Sequence, residues 1–175
     1  MLALAGAVLL RGDRRFTKIV SGYLLVAEEA DHVKSVEART SGEAGAGITW
    51  LDEKDGALPK VELRTDLAFR YANERRHQYY PVEMAVPSVD LIAPRLGVHY
   101  RYALSKDVIF TEDAEAMPNV VGAARLVADS TSKLDARLTG ALSLGVTFVV
   151  ATDSAPAPGK VATDTATSIA LQAAF

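Results

Sequence analysis

Apolar and polar residues alternate with a period of two along most of this chain. From Val61 to Tyr71 one set reads Val61, Leu63, Thr65, Leu67, Phe69, Tyr71, against Lys60, Glu62, Arg64, Asp66, Ala68, Arg70. In "LIAPRLGVHYRYAL" the apolar set is Ile92, Pro94, Leu96, Val98, Tyr100, Tyr102, Leu104, opposite Arg95, Gly97, His99 and Arg101. Val36, Ala38, Ala44, Ala46, Ile48 and Trp50 stand against Glu37, Arg39, Ser41, Glu43 and Thr49, and "ALSLGVTFVVATD" sets Leu142, Leu144, Val146, Phe148 and Val150 on one side. In "RLVADSTSKLDARL" the polar set is Arg125, Asp129, Lys133, Asp135 and Arg137. A two-residue period is the signature of a β-strand with two chemically different faces, and no stretch keeps a 3.6-residue period over a helical length. The chain is predicted to be all-β.

Two segments are weaker. "VIFTEDAEAM" sets Phe110, Ala114 and Ala116 against Thr111, Asp113 and Glu115, but Glu112 falls on the apolar side. "FTKIVSGYLLVAEE" is apolar on both faces, and its orientation stays open.

Strand length and spacing sharpen the picture. The runs last about 10–15 residues, where soluble strands are usually about 5–6 and bilayer-crossing strands need about 9–11. Nine strands are counted. Alternate connections are "RGDRR", "LDEKDGALP", "LSKD" and "LTGA" on one side, mostly short. On the other are "EEADHVK", "NERRHQYYPVEMAVPSVD", "MPNVVG" and "TDSAPAPGKVATD". Short turns at one end and longer loops at the other characterise outer-membrane barrels. The predicted fold is therefore a single domain over 1–175, an antiparallel up-and-down transmembrane β-barrel of about 9–10 strands.

In such a barrel the apolar faces meet lipid and the polar faces line the interior, whereas a soluble barrel inverts this and binds an apolar ligand inside. Three features favour the membrane orientation. Aromatic residues (Trp50, Phe69, Tyr71, Tyr100, Tyr102, Phe110, Phe148) lie near the ends of apolar faces, as an interfacial girdle would. The polar faces mix both charge signs, and the apolar faces are rich in alanine rather than in large core-filling side chains. The predicted interior is lined by Glu62, Arg64, Asp66, Arg70, Arg95, His99, Arg101, Asp113, Glu115, Arg125, Lys133, Asp135 and Arg137. These groups either tune ion passage or neutralise one another and fill a narrow barrel.

Composition removes other classes. There is no cysteine, hence no disulfide or thiolate site, and 19 basic against 22 acidic residues leave no basic stripe for nucleic acid. Asp113 and Glu115 share a face but lack the rest of a metal-ligand set, so neither metal nor cofactor is expected. The three histidines, His32, His77 and His99, have no nucleophile motif beside them, and no catalysis is expected. His32 and His77 are placed in external loops, where Arg75 and Arg76 could meet lipopolysaccharide phosphates. "LALAGAVLL" lacks the flanks of a signal peptide and is read as a strand. The odd strand count leads to the expectation that at least one strand precedes it.

The stretches "YRYALSKDVIFTEDAEAMPN", "STSKLDARLTGALSLGVTF" and "DSAPAPGKVATDTATSIALQAAF" resemble a family of salt-induced outer-membrane proteins known mainly as a domain of unknown function. The resemblance is good from about Trp50 to Phe175 and looser before. It implies a Gram-negative outer-membrane barrel without established activity, in contact with outer-membrane lipid and lipopolysaccharide. The ending, with Ile169, Leu171, Ala173 and Phe175 on one face, is similar to the signal read by the outer-membrane barrel assembly machinery. Oligomeric state is left open.

Overall fold

A computed structural model describes residues 5–55, 58–79 and 82–173. Nine strands follow one another: β1 (Ala5–Arg15), β2 (Val20–Asp31), β3 (Val36–Asp55), β4 (Leu58–Gln78), β5 (Met84–Ala103), β6 (Val108–Pro118), β7 (Leu126–Arg137), β8 (Leu142–Asp153) and β9 (Thr163–Ala173). They form one antiparallel sheet in the order of the sequence, each strand hydrogen-bonded to the next. The number and the up-and-down order agree with the alternation. Phe175 lies outside the described residues.

The lengths depart from expectation. The central strands reach 20, 21 and 20 residues, because charged stretches read as connections are part of the ladder. "RGDRR" ends β1, and "NERRHQ" completes β4, which runs to Gln78, with β5 beginning at Met84. His77, Arg75 and Arg76 are thus strand residues, while His32 sits in the short turn between β2 and β3. Charges persist in these strands because their inward members pair and hydrogen-bond with one another, which offsets part of the penalty for enclosing them.

Irregularities reset the alternation. Register shifts fall at Val36/Ala38, Thr49/Leu51 and Glu74/Arg76. The first turns Val36, expected on the outer face, to the interior, where it is 4 % exposed. In β2, Tyr23 and Leu25 also point inward. Tyr23 fits because β3 carries Gly45 beneath its ring: a Cβ built there would lie 2.7 Å from the ring and 2.6 Å from the Ala68 Cβ.

The sheet curls strongly. Arg11 of β1 reaches Asp66 of β4 at 3.7 Å, and Arg125, just ahead of β7, reaches Glu74 of β4 at 3.4 Å. Among the described residues β1 and β9 do not pair. The upper half of β5, Met84–Leu91, pairs with β4 only, since β6 joins the ladder from Leu96 onward. Within that half, the ladder to β4 slips between Val86 and Val89, at Pro87 and Ser88.

The curl decides which face is enclosed. Leu24, Val26, Leu67, Phe69, Leu96, Phe148, Ile169 and Leu171, all on the convex face, are between 44 % and 72 % exposed. Glu43, Glu74 and Arg125, on the concave side, are between 2 % and 6 % exposed. The molecule is charged inside and apolar outside.

Candidate functional site

The concave face stacks its polar groups in tiers, and β4 alone supplies the order: Arg64, Asp66, Arg70, Ala72, Glu74, Arg76. At the short-turn end, Arg11, Asp13, Arg64 and Asp66 form a four-membered charge ring. Arg11 holds Asp13 at 2.9 Å and Arg64 holds Asp66 at 2.8 Å, with the cross contacts at 3.7 and 3.8 Å. The Arg11 guanidinium also lies 3.9 Å above the centre of the Tyr23 ring.

The next tier centres on Glu43, whose side chain is fully buried. Tyr23 Oη donates to it at 2.5 Å, Arg70 Nε at 2.5 Å and Arg95 Nη1 at 3.3 Å. Arg95 Nε also donates to Glu115 at 2.6 Å, and Arg70 approaches the same carboxylate at 3.6 Å. Two acids and two guanidiniums alternate around this ring, so charge and hydrogen bonds are both satisfied. Beyond it the interior turns apolar: Ala72, Leu91, Ala93 and Met117 pack together, with Val127 against them.

The third tier lies toward the longer loops. Glu74 accepts from Arg39 at 2.5 and 2.7 Å, from Arg76 at 2.5 Å and from Arg125 at 3.4 Å. Arg125 in turn donates to Asp153 at 2.9 and 2.6 Å. Burial pulls the Arg125 guanidinium toward neutrality, but the hydrogen bond it donates to Asp153 and the charge of Glu74 outweigh it and raise its pKa. Asp153 also accepts the Ala155 amide, which ties down the loop 154–162 and its buried Ala157.

These tiers leave two main hollows. One, about 710 Å3, opens at the short-turn end and is bounded by Arg11, Asp13, Glu62, Arg64, Asp66, Arg95, His99, Asp113 and Glu115. The other, about 310 Å3, lies under the 154–162 loop, against Lys34, Val36, Arg39, Glu74, Arg76, Arg125 and Asp153. Only about 30 Å3 is free between Arg70, Ala72, Leu91, Met117 and the Glu74 tier, on the order of one water.

Six of the thirteen expected lining residues, Arg64, Asp66, Arg70, Arg95, Glu115 and Arg125, come together in these tiers, and Glu62, His99 and Asp113 border the larger hollow. His99 pairs with Asp113 at 2.6 Å, and Lys133 with Asp135 at 2.9 Å. Arg101 faces Glu62 across the ladder without an ion pair among the described residues. Arg137 stands apart, exposed at the end of β7 beside a shallow hollow. Arg76, expected as a free loop cation, is instead committed to Glu74 with its side chain 8 % exposed; Arg75 remains exposed. On the outer face, Trp50 is 59 % exposed and donates from its indole to Thr65 at 2.9 Å. Phe69, Tyr71, Tyr102 and Phe148 are exposed, and Tyr100 lies 6.4 Å from both Tyr102 and Phe110. Ile169, Leu171 and Ala173 share the outer face of β9.

Two features were not singled out by alternation. Glu43 is the hub of the middle tier, and its importance shows only once Tyr23, Arg70 and Arg95 are brought to it. Asp129 lines both hollows and has neither a hydrogen bond nor an ion pair among the described residues. The misplaced Glu112 does face outward, where the Ser130 hydroxyl donates to one of its oxygens at 2.6 Å and Ser132 to the other.

No curated protein and no solved structure shows significant similarity to the chain. A family model described as "Protein of unknown function, DUF481" matches residues 4–175, and with nearly its whole length covered the chain belongs to that family.

Proposed function

We propose that this protein is an outer-membrane β-barrel of a Gram-negative envelope, linked to salt or osmotic stress, and that it acts through its charged interior rather than by catalysis. One observation carries the reading: the curled sheet encloses its ion pairs and exposes its Leu, Val, Ile and Phe rows. In water, exposed apolar rows of this extent would drive aggregation. In lipid they are the favourable surface, and the ionic tiers are kept away from hydrocarbon. The alternative of a soluble barrel holding an apolar ligand needs the rows reversed, and nothing supports it.

The partners in this reading are outer-membrane lipid, lipopolysaccharide and the barrel assembly machinery. Ile169, Leu171 and Ala173 give the last described strand an apolar outer face for that machinery, and Arg75 is the exposed cation for lipopolysaccharide phosphate. The stress link rests on the sequence resemblance.

Trp50 is the only tryptophan, so the test has a built-in reporter. In proteoliposomes, lipids brominated on their acyl chains should quench its fluorescence strongly and aqueous iodide weakly. The folded protein should also migrate anomalously in gels until heated. Extraction in plain buffer, with iodide the better quencher, would sink the proposal.

A further inference from the structure

The tiers do not fill the interior evenly. Long paired side chains project from β1 and from β3 to β7, while β8 and β9 present mainly small ones inward: Thr147, Val149, Ala151, Ala166, Ser168. The apolar clump and the Glu43 ring block the β4–β6 side, and both hollows reach β7, the loop-side one extending to Ala151 and Asp153 of β8 and Asp164 of β9. There the two hollows approach each other, and Asp129 is the one described residue that borders both.

Asp129 differs from its neighbours in its pairing. Glu115, directly across the ladder, is held by Arg95 and Arg70. Arg39 is held by Glu29 and Glu74, and Lys133 by Asp135. Asp129 is only half-buried and has no such partner among the described residues, so its carboxylate faces the hollows without a direct ion pair to cancel its charge. Lys34, in the turn between β2 and β3, borders the loop-side hollow and has no ion pair among the described residues. A narrow aqueous passage with one uncompensated fixed charge at its junction concentrates ions of opposite sign, because the low-dielectric walls screen that charge poorly.

From this we propose that the barrel conducts small monovalent cations along its β7–β9 wall, with Asp129 as the charge that selects them. The proposal rests on the membrane reading above and deepens it.

The test is a reversal-potential measurement on the full chain in planar bilayers under a potassium chloride gradient. The wild type should favour potassium over chloride several-fold. Asp129→Asn, nearly isosteric, should bring the ratio to about unity, and Asp129→Lys should reverse it. Lys34→Gln should raise the preference for potassium. Glu53→Gln, at an exposed carboxylate that borders neither hollow, should leave it within about twofold. Bilayer incorporation and heat-modifiable migration are scored for every variant. Incorporated protein that conducts nothing, prefers chloride, or keeps its cation preference in Asp129→Asn overturns the Asp129 proposal and leaves the membrane reading standing. Failure of the wild type to enter bilayers overturns both.

Discussion

Glu74 is the most heavily committed side chain among the described residues, and removing it should expose how the interior is held. Its side chain is 2 % exposed and it accepts hydrogen bonds from three guanidiniums. Their losses in Glu74→Ala would be unequal. Arg125 keeps two hydrogen bonds to Asp153, and Arg39 keeps Glu29 at 2.5 Å. Arg76 keeps no carboxylate among the described residues, and its side chain is 8 % exposed. One stranded, buried cation is the expected outcome, and breaking a buried pair from one side costs about 3–5 kcal/mol. Two of the three partners have somewhere else to go, so the low end, about 3 kcal/mol, applies. Glu74→Gln keeps the volume and one acceptor oxygen and should cost about 2 kcal/mol. Glu74→Ala/Arg76→Ala removes the orphan as well as the acceptor and should be more stable than the single variant by about 1–2 kcal/mol, a coupling of the size seen between contacting residues. The assay is urea unfolding in detergent micelles followed by Trp50 emission, with heat-modifiable migration as a second probe. A loss below about 1 kcal/mol for Glu74→Ala, or a double variant no better than the single, would refute the argument that an unpaired Arg76 sets the cost.

Three further outcomes follow from local geometry. Gly45→Ala should lose about 1–3 kcal/mol in the same assay, since the new methyl meets the Ala68 Cβ at 2.6 Å and the Tyr23 ring at 2.7 Å, and Ala68→Gly should restore part of it. Glu112→Leu should stabilise the folded protein in lipid by about 1 kcal/mol, because an outward carboxylate in hydrocarbon is costly even when Ser130 and Ser132 donate to it; destabilisation would count against lipid on that face. Asp153→Ala removes both the Arg125 contacts and the acceptor of the Ala155 amide, so limited proteolysis within residues 154–162 should accelerate several-fold with the rest of the chain protected. Equal cleavage rates would show that the loop is held by other means.

The alternation made the strands and their facing legible, because a period of two needs nothing beyond nearest neighbours. It failed where the third dimension intervenes. The facing of Tyr23 and Leu25 stayed open, because their segment is apolar on both sides and only Gly45 on the next strand makes room for the ring. Val36 changed sides at a register shift that no composition signal marks. "NERRHQ" read as a loop because charge density was taken for solvent exposure, when Glu74 and Arg76 neutralise each other inside the curl. Lining residues could be proposed as a set, since each lies on a polar face. Which of them is paired and which is left alone could not, because Arg70 meets Glu43 across 27 positions and Arg95 meets it across 52. Asp129 stood out only after its neighbours had been matched.

The lone upper half of β5 has its own consequence. In the proposed membrane placement, Met84–Leu91 rises beyond the lipid toward the side of the longer loops, and one edge of its main chain has no neighbouring strand. Bare edges of this kind invite other chains to zip on, and the hazard grows when many copies share a crowded two-dimensional layer. Pro87 sits in the middle of that stretch with no amide hydrogen to offer, at a point where the strand already kinks against β4. That single imino ring should keep the tall ribbon from acting as a template, leaving adjacent copies free to diffuse past one another.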